Sequence, residues 1–236
     1  MRSGNSARVV VILSGGMDST VCAALALREF GAENTAALHI SYGQRTESRE
    51  QQAFRAICDQ LNIETRLMIR TEFFRAIGGS ALTDEQIAVP DAPPHIGSEI
   101  PVTYVPFRNS HFLSAATSWA EVLGAERIYI GAVQQDSSGY PDCRPEFYRA
   151  FNEAIRTGTR EGKIRIETPV IGLRKAEIVT LGLELGAPFH LTWSCYSGLD
   201  QACGTCDSCV LRLRAFDVAG AMDPIPYLPA PAGKHS

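Results

Sequence analysis

Two groups of residues in this chain have the types and spacing for chemistry. The first is Ser14-Gly15-Gly16-Met17-Asp18-Ser19, directly after the apolar run Val9-Val10-Val11-Ile12-Leu13. A β-branched run that breaks into two glycines and then a hydroxyl-rich stretch reads as strand, tight loop and helix start. Two adjacent residues without Cβ let the backbone approach a bulky anion. The N–H groups of the first helical turn then point at that anion, reinforced by roughly half a positive charge from the helix dipole. Ser14, Ser19 and Thr20 add hydroxyls, so the loop is expected to hold phosphate. It lacks the lysine of the Gly-x-x-x-x-Gly-Lys-Ser/Thr loop. Instead it carries Asp18, which would repel phosphate unless a cation intervened, so Asp18 is expected to bind Mg²⁺ or to orient the loop amides. The plainer alternative is a Gly-Gly turn in which Asp18 and Ser19 compete to cap the helix.

The second group is Cys195, Cys203, Cys206 and Cys209, spaced C-x7-C-x2-C-x2-C and holding four of the seven cysteines. Two-residue gaps let neighbouring thiolates converge on one tetrahedral ion. Four thiolates suit a closed, structural Zn²⁺ site, one per chain. An iron–sulfur cluster also takes four cysteines, and spacing leaves it open. A helix is expected after Cys209, pinned by the metal against the main body.

The elements that must position these groups alternate. Strands are expected at 8–13, 36–40, 64–69, 127–130 and 164–168. Helices are expected at 19–30, 47–61, 108–123, 145–156 and 174–185. Such alternation predicts an α/β fold with a parallel sheet and helices on both faces, with ligands bound beyond the carboxyl ends of the strands. Residues 1–186 read as this domain, 187–222 as the four-cysteine segment with its helix, and 223–236 as an extended Pro-rich tail (Pro224, Pro226, Pro229, Pro231). A stretch from Gly78 to Pro106 holds too many prolines for a helix or central strand and reads as a long loop.

At 236 residues, 45% hydrophobic and 20% charged, the chain is of ordinary globular composition. A net charge of −4 argues against a broad nucleic-acid-binding face. The longest N-terminal apolar run is too short for a signal peptide or membrane span. Seven cysteines without a secretory signal point to a reducing, cytoplasmic compartment. A further polar segment, 131–147, follows the fourth strand and should reach the same edge as the phosphate loop. Within it Tyr140 can stack on a planar ring, Asp142 can accept two N–H bonds from an amidine-like edge, and Arg144 can neutralise a carboxylate. The same residues also read as a turn before a helix that starts at Pro145. His39 and His111 are expected to be structural.

The SGGMDS hexapeptide resembles the signature of the PP-loop ATP pyrophosphatases, which cleave ATP to AMP and pyrophosphate. More narrowly, SGGMDS, YGQR at Tyr42, VTYVPFRN ending at Asn109, SGYPDCRPEF at Ser138, TPVIGLRKAEI at Thr168, TWSCY at Thr192 and CGTCDSC at Cys203 together resemble the QueC family. The chain departs from the family pattern at Thr46, often His, at Ser137, often aromatic, and at Phe107, usually small.

That resemblance implies a Rossmann-like PP-loop fold and a C–N ligase. Its reaction would convert 7-carboxy-7-deazaguanine, ammonia and ATP to 7-cyano-7-deazaguanine through adenylated acid and amide, in queuosine precursor biosynthesis. It implies that Leu13, Ser14, Gly15, Gly16, Met17, Asp18, Ser19 and Thr20, with Gln44 and Arg45, hold ATP and its Mg²⁺. Lys175 would return to the phosphates, Arg108 would meet phosphate or substrate carboxylate, and Tyr140, Asp142 and Arg144 would hold the base. The expected partners are these small molecules, with no nucleic acid or membrane, and a homodimer is implied. The competing enzyme is a PP-loop tRNA thiolase that uses its cysteines for iron–sulfur or sulfur transfer.

Overall fold

The computed structural model describes residues 7–93, 96, 99–134 and 139–229. Pro94, His95, Ser137, Ser138 and Pro231 lie outside them, as does the last part of the Pro-rich tail.

The apolar runs form a five-stranded sheet: β1 (Val9–Ile12), β2 (Thr35–Ser41), β3 (Thr65–Arg70), β4 (Arg127–Ile130) and β5 (Arg165–Glu167). All pairings are parallel, and the order is β3-β2-β1-β4-β5. The central strand β1 is buried throughout, as its unbroken apolar run requires of a strand covered on both faces. Alternate residues of that run serve opposite cores. Val9, Val11 and Leu13 pack with α1 (Met17–Phe30), α2 (Glu47–Gln60), α6 (Lys175–Glu184) and α7 (Asp207–Val218). Val10 and Ile12 pack with α3 (Phe73–Ile77), α4 (Arg108–Leu123) and α5 (Pro145–Gly158). The parallel sheet with helices on both faces expected from the sequence is therefore present.

β1 has β2 on one side and β4 on the other, so the chain reverses its direction of travel across the sheet at this strand. The loops after β1 and β4 diverge, which opens a crevice at their carboxyl ends. The loop from Gly78 to Pro106 is anchored rather than loose in its described parts. Ser80, Ala81, Leu82 and Thr83 are buried, and Ala81 N–H donates to Val102 O. The C-terminal segment shares the larger core, since Cys195, Cys206, Cys209 and Phe216 belong to the same cluster as β1 and α1. No helix among the described residues is long and apolar enough to cross a membrane.

Candidate active site

The Ser14–Ser19 loop forms as its residues demand. Gly15 takes φ +90°, and a Cβ there would lie 2.9 Å from Ala53 Cβ and 3.0 Å from Glu50 O of α2. Only glycine lets the turn close against that helix. Helix α1 begins at Met17 with Gly16 as its cap and no side-chain cap, so its first N–H groups keep their donors for a ligand. Ser14 Oγ accepts from Gly16 N–H at 3.3 Å and lies 3.0 Å from Ser19 Oγ. Thr20 differs from the expectation of a ligand contact, because its buried hydroxyl donates to Gly16 O at 2.8 Å and holds the turn.

A cavity of about 270 Å³ opens beside this loop. Leu13, Ser14, Gly16, Met17, Asp18 and Ser19 line it, as do Gln44, Arg45, Arg108, Tyr140 and Lys175. Lys175 Nζ lies 2.5 Å from Asp18 Oδ2. The other carboxylate oxygen, Asp18 Oδ1, is buried without a hydrogen-bond partner. A hard cation prefers such an oxygen, so the site fits Mg²⁺.

Arg108 is the second cation of the cavity. It opens α4, and its Nη1 donates to the Tyr42 hydroxyl at 2.9 Å. The guanidinium lies over the Tyr42, Phe112 and Tyr140 rings at 5.2, 5.6 and 6.0 Å. Its Nε is buried and unpartnered. Burial disfavours this cation, but Tyr42, Tyr140 and Asp142 nearby outweigh that and hold its pKa above the usual range. The unpartnered Nε leaves Arg108 one donor for a ligand.

The remaining expected residues are placed as follows. Gln44 is spent on its neighbours: its Oε1 accepts from Tyr42 N–H and its Nε2 donates to Glu50, both at 2.8 Å. Arg45 donates to the carbonyls of Ala81, Asp84 and Ile87 and so ties down the long loop. Asp142 is buried away from the cavity, where its Oδ2 accepts the N–H of Asn109 in the first turn of α4 at 3.0 Å. Burial pushes its carboxyl above the usual range, and the Asn109 bond and Arg108 oppose that push. Arg144 is exposed at the start of α5 and does not line the cavity. Gly15 does not line it either. Residues 135–138 lie outside the described part of the 131–147 segment.

Sequence reasoning missed several lining residues. Glu50 is held by Thr46 and Gln44, and burial raises its carboxyl. Trp193, Ser194, Tyr196 and Arg212 enter from the chain's last fifth. The TWSCY match was the only signal for Trp193, Ser194 and Tyr196, Arg212 had none, and nothing local tells which wall such a segment joins. Cys143 also lines the cavity, and burial pushes its thiol up to about 11, which opposes thiolate chemistry there.

The four cysteines do converge. Their Sγ atoms all lie within 4.8 Å of one another, with Cys203 and Cys209 3.9 Å apart. Zinc–sulfur bonds of about 2.3 Å place tetrahedral sulfurs about 3.8 Å apart, so the donor set fits a metal closely. Backbone N–H groups of Ser197, Gly198 and Cys203 point to Cys195 Sγ, and that of Cys206 to Cys203 Sγ. Such donors favour thiolates, the form a metal requires.

Comparison with known proteins agrees with the motifs. The chain is 70% identical over 233 residues to the 7-cyano-7-deazaguanine synthase of Koribacter versatilis, covering 99% of this chain and 98% of that one. It is 65% identical to the 7-cyano-7-deazaguanine synthase of Acidobacterium capsulatum, over 93% of this chain and 96% of the relative. For the same enzyme of Chlorobaculum parvum the identity is 57%, with the same two coverages. Residues 8–220 match the family described as queuosine biosynthesis protein QueC, and the chain belongs to that family.

Proposed function

We propose that the chain is an ATP-dependent 7-cyano-7-deazaguanine synthase, which turns the 7-carboxyl group of a 7-deazaguanine into a nitrile with ammonia as the nitrogen source. The observation that carries the reading is that one cavity is lined both by the SGGMDS loop with Asp18 and Lys175 and by Arg108, whose Nε has no partner. Such a site can hold a triphosphate at one end and an acid at the other.

A carboxylate is a poor electrophile, and transfer of AMP to it turns one oxygen into a leaving group. Ammonia then displaces AMP to give the amide. A second adenylation, at the amide oxygen, followed by loss of AMP leaves the nitrile, so each stage releases one pyrophosphate and one AMP. In this reading the loop N–H groups bind the β- and γ-phosphates, and Lys175 stabilises charge as pyrophosphate departs. Asp18, through its unpartnered oxygen, would hold Mg²⁺, which would supply charge neutralisation at phosphorus. Arg108 aligns the acid for in-line attack, and Tyr140, with its ring on the cavity wall, offers a stacking face for the base. Most of the catalysis is positioning and electrostatics, as phosphoryl chemistry requires. Asp142 acts through the start of α4, while Gln44 and Arg45 act by fixing the loops around the nucleotide. The four-cysteine site holds one structural Zn²⁺, and the enzyme works in the cytoplasm as a homodimer on small molecules alone.

Incubation with 7-carboxy-7-deazaguanine, Mg-ATP and ammonium, followed by mass, tests the reading. The expected record is two successive mass changes through the amide, with AMP formed at each. ADP as sole nucleotide product, or no amide when ATP is limiting, would overturn it. The relatives favour this activity over tRNA thiolation, and colourless protein with one zinc per chain agrees with it where a brown one would not.

A further inference from the structure

The segment from Thr192 to Tyr196 joins the two groups that the sequence presents as separate. Trp193 is buried, and its backbone N–H donates to Gly15 O in the phosphate loop at 2.8 Å. A peptide unit is planar and trans, so a carbonyl drawn to Trp193 turns the Gly16 N–H of the same unit the opposite way. There it meets Ser14 Oγ at 3.3 Å, on the cavity rim.

The other end of Trp193 reaches the cysteines. Its indole N–H donates to Gly198 O at 3.0 Å, and Gly198 N–H in turn donates to Cys195 Sγ at 3.1 Å. The Arg49 guanidinium covers the ring at 4.4 Å and keeps it in place. Flanking residues are held by the cysteine-bearing helix. Arg212 of α7 donates to Thr192 Oγ1 at 2.7 Å and Ser194 Oγ at 3.3 Å, while Asp223 grips it by two bonds of 2.7 and 2.9 Å. That helix is capped by Cys206 and contains Cys209.

We propose that Trp193 is a positioning residue through which the four-cysteine metal site sets the phosphate loop in its anion-binding form. Metal and nucleotide therefore bind with positive linkage. The inference rests on the nucleotide reading of the cavity and adds to it a second role for the metal, beyond ordering its own segment. Reciprocity requires that, if bound metal raises nucleotide affinity, nucleotide raises metal affinity by the same factor.

The test uses the full chain with its native metal. Calorimetry first measures binding of a non-hydrolysable ATP analogue with Mg²⁺. Partition of the metal to a competing colorimetric chelator is then measured at equilibrium with and without the analogue. Nucleotide should protect the metal, raising its affinity for the parent protein about fivefold or more. Trp193→Phe keeps the ring and loses the indole N–H. It should shrink that protection and raise KM for ATP, with kcat and KM for ammonium changed by less than about twofold. Thr192→Val should weaken protection in the same way and Thr192→Ser restore it, which keeps the test decisive if Trp193→Phe does not fold. Analogue binding without any change in metal affinity overturns the linkage alone. Protection equal to the parent in Trp193→Phe, or in Thr192→Val should Trp193→Phe not fold, overturns the role of Trp193. No analogue binding to the metal-loaded protein overturns the nucleotide reading and the linkage together.

Discussion

Asp18 and Lys175 stand 157 residues apart in the chain, yet Oδ2 of one lies 2.5 Å from Nζ of the other. Both are half-shielded at the cavity wall, with side chains 23% and 16% exposed. The pair leaves Asp18 Oδ1 bare, so one oxygen meets the lysine and the other stays open to the cation proposed above. Lys175→Met should lower pyrophosphate release by about 10²–10³-fold, the scale of losing one preorganised charge at a transition state. Asp18→Asn should lose at least as much. Because the two act as one unit, the double variant should be little worse than either single one. Additive losses in a pyrophosphate-release assay would show that they act separately.

Gly131, which directly follows β4, touches the same loop from the other side. A Cβ there would lie 2.6 Å from Ser19 N and 2.8 Å from Asp18 C, both backbone atoms of the first turn of α1. Neither can swing aside as a side-chain tip could. Gly131→Ala must therefore displace β4 or the loop by several tenths of an ångström. The expected result is loss of nucleotide binding by calorimetry, with helical and strand content unchanged by circular dichroism. Full nucleotide affinity in this variant would mean that the loop tolerates displacement.

The sheet was legible because its causes are local. Runs such as Val9–Leu13 and the breaks after them depend only on near neighbours, and each helix start has a signal within a turn. The turn at Ser14–Ser19 and the convergence of the four cysteines were legible for the same reason. Short α3 was not expected, since Phe73–Ile77 is too brief to show a period. The walls of the cavity were harder. Arg45 looked like a phosphate ligand from its place after β2, but carbonyls 36 to 42 residues away take its guanidinium. Asp142 looked like a base-reading carboxylate, but the partner at its side chain is a helix start 33 residues earlier in the chain. Such pairings are tertiary and leave no mark on local sequence. Phe107 shows the reverse. The family pattern favours a small residue there, and the backbone explains it, with φ +59° just before α4.

Asp142 offers a clean separation of roles. As an acceptor for the first turn of α4, it should resemble a helix cap, whose removal costs about 1–2 kcal/mol. Asp142→Ala should thus lower Tm by about 2–8 °C for a chain of this size. Asp142→Asn keeps an acceptor oxygen and should lose less. Since α4 carries Arg108, KM for the deazaguanine acid should rise with the fall in Tm. A large rise in KM for Asp142→Ala with unchanged Tm would instead place the carboxylate on the substrate.

His39 predicts how the fold responds to acid. It is buried in β2, with Nδ1 donating to Leu13 O at 3.2 Å and Nε2 left without a partner. Burial is the main cause that lowers its pKa from 6.5 to about 4; the Leu13 bond opposes it and Arg55 adds to it. Below pH 6.5 the unfolded chain binds a proton there that the folded chain refuses, so stability is present above that pH and is lost as pH falls toward 4. At 1.36 kcal/mol per pH unit the loss amounts to about 3 kcal/mol. Glu50 and Asp142, both raised by burial, act with the opposite sign, favouring the fold at low pH and losing that contribution as pH rises from about 4. Their effects cancel when parent and variant are compared. His39→Gln removes the titrating ring and keeps a donor for Leu13 O. Urea unfolding at pH 7.5 and 5.0 should therefore show a smaller loss of stability in His39→Gln than in the parent. Equal losses would mean that His39 is protonated within the fold.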